Sequence, residues 1–117
     1  MAWARLAVDE HPGEVLEVHV LNTWSEKLHG LLGTGPNAAP VMLTRCSSVH
    51  TVGMAYELDL AFVGERGEVL EVHRGVGPGS LVSCEEASCV VERPSARGEW
   101  LASGEHLWAC AISAELF

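Results

Sequence analysis

Apolar and polar residues alternate along most of the chain, and this alternation predicts β-strands. Leu16, Val18 and Val20 alternate with Glu17 and His19, as in a strand with one buried face. The same period recurs at residues 58–62 and 70–73, and further strands are expected at residues 41–44, 87–92 and 106–112. The glycine-bounded stretch at residues 64–67 separates two of these strands and predicts a hairpin turn.

One helix is indicated at its start by a capping box, with Thr23 as the N-cap and Glu26 three residues later. Apolar residues follow at helical spacing and predict a buried stripe over residues 24–32: Trp24, Leu28, Leu31 and Leu32. We expect Gly33 to end this helix. A shorter helical turn is predicted over residues 95–102, with loops over residues 33–40 and 75–79.

Many strands and little helix predict a mainly β fold. There is no alternation of strand and helix of the kind that builds a parallel sheet. We therefore expect an antiparallel β-sandwich or barrel-like single domain over residues 1–117, with at least six strands. One principal helix should pack on it, with Trp24 and Leu28 buried.

The charge balance narrows the classes of partner. Seven basic residues against sixteen acidic ones give a net charge of −9, which argues against nucleic acid and anionic membranes as partners. No apolar run approaches the roughly 18 residues that a membrane helix needs, so no membrane insertion is expected. The first ten residues contain Asp9 and Glu10 and do not resemble a signal peptide. Four cysteines are too few for a disulfide scaffold, and a cytoplasmic location is expected.

A seven-residue segment occurs twice, at residues 13–19 and 67–73. The repeat is too short for a repeat architecture, and two strands that share one pattern explain it best. Placed side by side, the outward residues of both copies could hold a divalent metal: Glu17, His19, Glu71 and His73. The prediction is instead that His19 and His73 are partly exposed and bind no metal.

Cys46 and His50 lie four residues apart on a segment without helical or strand periodicity, and Cys84 precedes a later strand. A neighbouring imidazole can take the proton of a thiol and leave a nucleophilic thiolate. The same three residues could also supply zinc ligands, with Cys89 or water as the fourth, although the spacings are not those of zinc fingers. Buried free cysteines commonly act as small apolar residues, and this structural role is the favoured interpretation.

Asp59 lies between Leu58 and Leu60 and should therefore point to the face opposite these apolar residues. The loop over residues 47–53 has many backbone amides and no partner strand of its own. We expect Asp59 to accept hydrogen bonds from this loop. His50 should then line a shallow pocket beside it.

Two segments carry a resemblance to a known family. They are Leu28-His29-Gly30-Leu31-Leu32-Gly33 and, more specifically, Cys46-Ser47-Ser48-Val49-His50-Thr51-Val52-Gly53-Met54. With residues 58–63, 67–70, 84–87, 90–94 and 103–107, they resemble the family called domain of unknown function 192 (DUF192), over about residues 15–109. The resemblance implies a compact domain of antiparallel strands, with Cys46, His50 and Cys84 at matching positions, and no established activity.

The chain departs from the family pattern at four positions: His29 for an arginine, Glu57 for a proline, Arg66 for an aspartate and Glu105 for an aspartate. Because His29 offers no fixed charge, we do not expect it to take over a role of that arginine in binding an anion.

The function favoured by the sequence is a binding or accessory module without enzymatic activity or cofactor. Its ligand, a small molecule or a protein, should lie near residues 46–54. The candidate pocket residues are Cys46, His50, Thr51, Asp59 and Cys84. The alternative is a thiol- or metal-dependent enzyme that uses Cys46, His50 and Cys84. A structural subunit that self-associates through a sheet edge is a third possibility.

Overall fold

The large sheet is built from strands that follow the predicted alternation closely. The computed structural model describes residues 2–114, and this part of the chain contains nine strands and one short helix. Their bounds are β1 Ala2–Val8, β2 Val15–Leu21, α1 Trp24–His29, β3 Val41–Thr44, β4 Ser48–His50, β5 Leu58–Val63, β6 Val69–Val76, β7 Leu81–Ser83, β8 Cys89–Pro94 and β9 Leu107–Ala114. The expected mainly β domain with at least six strands is confirmed.

Seven strands form one sheet in the order β6-β5-β8-β3-β2-β1-β9, and β4 pairs with β7 in a small second sheet. Neighbouring strands are antiparallel except β2 and β3, which are parallel, so the sheet is mixed rather than wholly antiparallel. The physical reason is the connection between β2 and β3. It contains α1 and the loop over residues 33–40, and is long enough to return the chain and start the next strand in the same direction.

The sheet curls until its two edges touch, which gives the expected barrel-like form. The backbone N–H of Leu107 donates to the carbonyl of Gly67 at 2.8 Å, and that of Val69 donates to Glu105 at 2.8 Å. Gly67 has a φ of +83°, and a Cβ there would lie 2.1 Å from the Leu107 carbonyl oxygen. A residue without a side chain is therefore required where the two edges meet.

The helix begins as predicted but is shorter, and its apolar stripe does not enter the core. Thr23 Oγ1 accepts from the N–H of Glu26 at 3.1 Å, and the Glu26 carboxylate accepts from the N–H of Thr23 at 3.0 Å. The helix ends at His29, and Trp24 and Leu28 are 78% and 52% exposed, so their predicted burial is wrong. The helix has six residues, and the turn after it carries Leu31 into the core instead.

Other differences concern boundaries. Residues 95–102 form a loop with bends rather than the predicted helical turn. The strands expected at residues 87–92 and 106–112 are found at Cys89–Pro94 and Leu107–Ala114, and β6 continues through Gly75 to Val76. The hairpin after β5 closes as predicted, because the N–H of Gly64 donates to the carbonyl of Glu68 at 2.9 Å.

Candidate functional site

The two faces of the central strands belong to two separate apolar clusters. On β5, Ala61 and Val63 pack into a cluster that draws residues from both edges of the curled sheet. We call this the barrel face. Leu58, Leu60 and Phe62 face the other way, into a cluster covered by Leu31 and by Val49 of β4, which we call the helix face. Because both faces are covered, every residue of β5 is buried.

Asp59 lies on the barrel face, opposite Leu58 and Leu60 as predicted, and is fully buried. Its carboxylate accepts from the Gly75 N–H at 2.9 Å, Arg93 Nε at 2.8 Å and Ser95 Oγ at 2.9 Å. Arg74 Nε lies 3.2 Å away. Burial acts to raise the pKa of Asp59, but the Gly75, Arg93 and Ser95 bonds outweigh it and hold this pKa below its usual value.

The predicted role of Asp59 in holding residues 46–54 is wrong, because none of its hydrogen-bond partners within residues 2–114 belongs to that segment. The segment lies on the helix face, and strand alternation sends the Asp59 side chain to the other face. Thr51 holds the segment instead. Fully buried, it donates from Oγ1 to the Gly77 carbonyl at 2.7 Å and accepts from the Ser80 N–H at 2.8 Å.

An open cavity of about 350 Å³ lies between α1 with its following turn and the segment from residue 45 to residue 54. We call it the helix groove. Leu28 and Val49 line its sides, and Leu43, Leu58 and Glu92 also line it, from strands of the large sheet. Its lining is therefore largely apolar, with one carboxyl group on a central strand.

Glu92 is the carboxyl of the helix groove. It pairs in register with Val41 of β3 and Leu60 of β5, which are both buried, and is itself only 3% exposed. A Cβ on Gly30, at the end of α1, would lie 3.1 Å from Glu92 Oε1, so the backbone of Gly30 lies directly over the carboxyl. Burial raises the pKa of Glu92 to about 7.

No hydrogen-bond donor or positive charge within residues 2–114 contacts the Glu92 carboxyl. A buried carboxyl without a partner costs free energy in the unliganded fold, since its desolvation is not compensated. The helix groove thus contains a carboxyl without a protein partner, in a lining of apolar residues that also includes Lys27, His29, Arg45 and His50.

The structure divides the five predicted pocket residues. Cys46 and His50 line the helix groove together with Glu92, and the Cys46 thiol donates to the Ser48 carbonyl at 3.2 Å. Thr51 is buried in its bonds to the backbone, and Asp59 lies on the opposite face. The carboxyl that lines the helix groove is that of Glu92 on β8, whereas Asp59 of β5 does not line it.

Cys84 does not line the helix groove but packs in the cluster of the helix face. Burial, and then a hydrogen bond with the Glu71 carboxylate, raise the pKa of the Cys84 thiol. All four cysteines are free. The three residues of the predicted thiol or metal site are therefore not brought together in one cavity.

The repeated segment does not form a paired site. Glu17 and His19 lie on β2, whereas Glu71 and His73 lie on β6, with three strands between them in the sheet. The His19 ring packs against Trp3 at 3.6 Å between ring centroids, with the two planes tilted by 42°, and His73 Nε2 lies 3.2 Å from Glu71 Oε1. Both histidines are partly exposed, as predicted. Residues 2–114 contain no group of three or more His, Cys, Asp or Glu side chains arranged to hold a metal ion.

Comparison with known proteins identifies the fold. No family model and no curated protein matches the chain. A protein of unknown function from Novosphingobium aromaticivorans DSM 12444 has a similar structure, with a TM-score of 0.70 at 14% identity over 89% of this chain and 83% of that one.

A protein of Sinorhizobium meliloti 1021 described as a "putative transcription regulator" is also similar, with a TM-score of 0.72 at 18% identity over 92% of each chain. In the described part of this chain no helix is long and apolar enough to cross a membrane. At these identities the likeness establishes a shared fold: this chain is a single mainly β domain of the same architecture as those two proteins.

Proposed function

We propose that this protein is a binding module that holds a small molecule in the helix groove. The observation that carries the proposal is Glu92, a carboxyl that is 3% exposed, faces the groove and has no hydrogen-bond partner within residues 2–114. Buried polar groups in folded proteins nearly always have partners, so an unpartnered one facing an open cavity is the expected mark of a ligand site.

The size and lining of the helix groove support a small ligand. Its volume of about 350 Å³ lies at the lower end of the range for small-molecule pockets, roughly 300–1,000 Å³. The exposed side chains of Trp24 and Leu28 form an apolar rim that a ligand would cover. The net charge of −9 supports a small molecule over nucleic acid as the partner.

Membership of the DUF192 family is part of the same proposal. The segments that carry the resemblance most specifically, residues 28–33 and 46–54, are distant in sequence but meet on the two sides of the helix groove.

An enzyme that uses Cys46 and His50 is the second candidate, because both residues line the groove that contains Glu92. It has less support than a binding module, since Cys84 lies elsewhere and the Cys46 thiol is engaged with the Ser48 carbonyl. Replacing Cys46 with Ser should leave ligand binding in the groove intact in either case, and only an enzyme of this kind would lose turnover.

The experiment that tests the proposal is a titration with indole, a neutral apolar probe, followed by amide chemical shifts. Shifts should concentrate at residues 24–32 and 46–54. Leu28→Asp should weaken indole binding about five-fold or more, because it places a charge on the apolar wall. Leu81→Asp is the matched control, since Leu81 is also exposed but does not line the groove. Shifts spread over the surface, or equal weakening in both variants, would contradict the proposal.

A further inference from the structure

The chemistry of Glu92 points to a particular class of ligand, and the inference rests on the proposed function. We infer that the helix groove binds a small organic cation, a compact apolar body that carries an amine or amidine whose N–H groups bind the Glu92 carboxylate. Each element of this inference comes from the surroundings of that carboxyl.

The ligand must supply hydrogen-bond donors. An ionised carboxylate only accepts hydrogen bonds, and the side chains next to Glu92 in the sheet, Val41 and Leu60, have no donors. Gly30, which lies over the carboxyl, uses its N–H to bond the Glu26 carbonyl at 2.9 Å. The protein therefore leaves the acceptors of Glu92 to be satisfied from the cavity.

A donor with positive charge fits better than a neutral one. Burial disfavours the ionised form of Glu92, because water no longer stabilises its negative charge. A cation in the groove would stabilise that charge instead. Hydrogen bonds between charged partners are also roughly twice as strong as neutral ones. The net charge of −9 further raises the concentration of cations near the surface.

The charged and titratable groups of the protein that line the groove do not replace this ligand. They are Lys27 and His29 on α1, and Arg45, Cys46 and His50 on the segment after β3. The Lys27 ammonium donates to the Thr44 carbonyl at 3.0 Å, and Arg45 is exposed, where water and salt screen its charge. The neighbouring strands β3 and β5 place only apolar residues beside Glu92.

Three probes that share a benzyl or phenyl group test the inference: benzylamine as the cation, benzyl alcohol as the neutral analogue and benzoate as the anion. Binding is measured by calorimetry and amide chemical shifts at pH 8, where Glu92 is ionised. Benzylamine should bind about ten-fold or more tightly than the other two. Below pH 7 its binding should weaken and should be accompanied by proton release, detected with buffers of different ionisation enthalpy.

Two variants keep the outcome interpretable. Glu92→Gln preserves shape but removes the charge, so the preference for benzylamine should fall to about two-fold or less. Glu85→Gln removes the same charge from an exposed position outside the groove and should retain the preference.

The inference is overturned if benzyl alcohol or benzoate binds as tightly as benzylamine, or if the preference survives in Glu92→Gln. If benzyl alcohol shifts the groove amides without any preference for the amine, the proposed function stands and only the cation is refuted. If none of the three probes shifts residues 24–32 or 46–54, both are refuted.

Discussion

Asp59 and Glu92 are two acidic residues on the adjacent strands β5 and β8, and they point to opposite faces of the sheet. Both are almost completely buried. Asp59, on the barrel face, has N–H and O–H donors from Gly75, Arg93 and Ser95, and its pKa is lowered. Glu92, on the helix face, has no such donors, and its pKa is raised to about 7.

The hydrogen-bond partners distinguish the two carboxyls: that of Asp59 is bonded within the fold, whereas that of Glu92 is left open to the helix groove. The hydrogen bonds to Asp59 connect the end of β6 and the loop after β8 to β5, so its ionised carboxylate stabilises the fold. Glu92 contributes nothing comparable, and its desolvation opposes folding. Under the proposed function, the acid at this position serves to bind a ligand rather than to stabilise the fold.

The largest expected effect is that of Asp59→Ala. This change leaves the largely buried Arg93 guanidinium and the Gly75 N–H without their acceptor, which should lower the free energy of unfolding by about 3–5 kcal/mol. Urea unfolding measures this. Glu57→Ala removes an exposed acid two residues away and should change stability by less than about 0.5 kcal/mol. Similar values for the two variants would refute the structural role of Asp59.

Glu92→Gln should instead raise the free energy of unfolding. Because the folded-state pKa of Glu92, about 7, lies above its ordinary value of 4.5, the folded state retains a proton that the unfolded state loses between these values. The wild-type protein therefore loses stability from this group as pH rises from about 4.5 to 7. The variant lacks this loss and should be about 2–3 kcal/mol more stable than the wild type at pH 8.

The measurement for Glu92→Gln is the difference in unfolding free energy between variant and wild type from pH 4 to pH 8. Taking the difference removes the contributions of other acids, such as Asp59, whose lowered pKa favours the fold as pH rises. The difference should grow with pH through this range and level off above pH 7. A difference that does not vary with pH would contradict the raised pKa.

The smallest of the three effects is expected for Thr51→Val. The variant loses the bond to the Gly77 carbonyl and the bond from the Ser80 N–H, at a cost of about 1–3 kcal/mol. Amide hydrogen exchange assigns the effect: Thr51→Val should accelerate exchange at Ser80 but not at Gly75, and Asp59→Ala should do the reverse. If only Asp59→Ala accelerated amide exchange at Ser80, Asp59 rather than Thr51 would be the residue that holds this loop in place.

The strands and the start of the helix were predictable because their causes are local. The alternation around Val18 and the turn at Gly67 follow from strand periodicity and backbone geometry, and both are confirmed. The capping box of Thr23 and Glu26 depends on four consecutive residues and is also present. The helical periodicity of Trp24 and Leu28 could not predict that they are exposed. Their exposure depends on the groove beside them, whose other side is formed by residues 45–54.

The proposed site was predicted only in part, because Glu92 is placed in the helix groove by strand pairings that are distant in sequence. The side of Asp59 follows from alternation and is correct, whereas its partners come from residues 74–75 and 93–96, which sequence proximity did not suggest. Glu92 shares the face of Val90, two residues earlier. The sequence signal for Glu92 was an acid two residues after the apolar Val90, at a position that alternation places on the same face. Because β8 is covered on both faces, its sequence has no amphipathic pattern that would show which face is buried.

The pairing of β1 with both β2 and β9 has a consequence for the order in which the protein folds. β1 begins at residue 2 and its partner β9 ends at residue 114, so the last pairing closes nearly the whole chain. Such non-local pairing slows folding, because the entropy of loop closure is lost before the contacts form. During synthesis the β1–β2 hairpin is made before β9, so one edge of β1 stays unpaired until β9 has emerged. In that interval the nascent chain presents an unpaired strand edge to which other chains can add, and this edge is a route to aggregation.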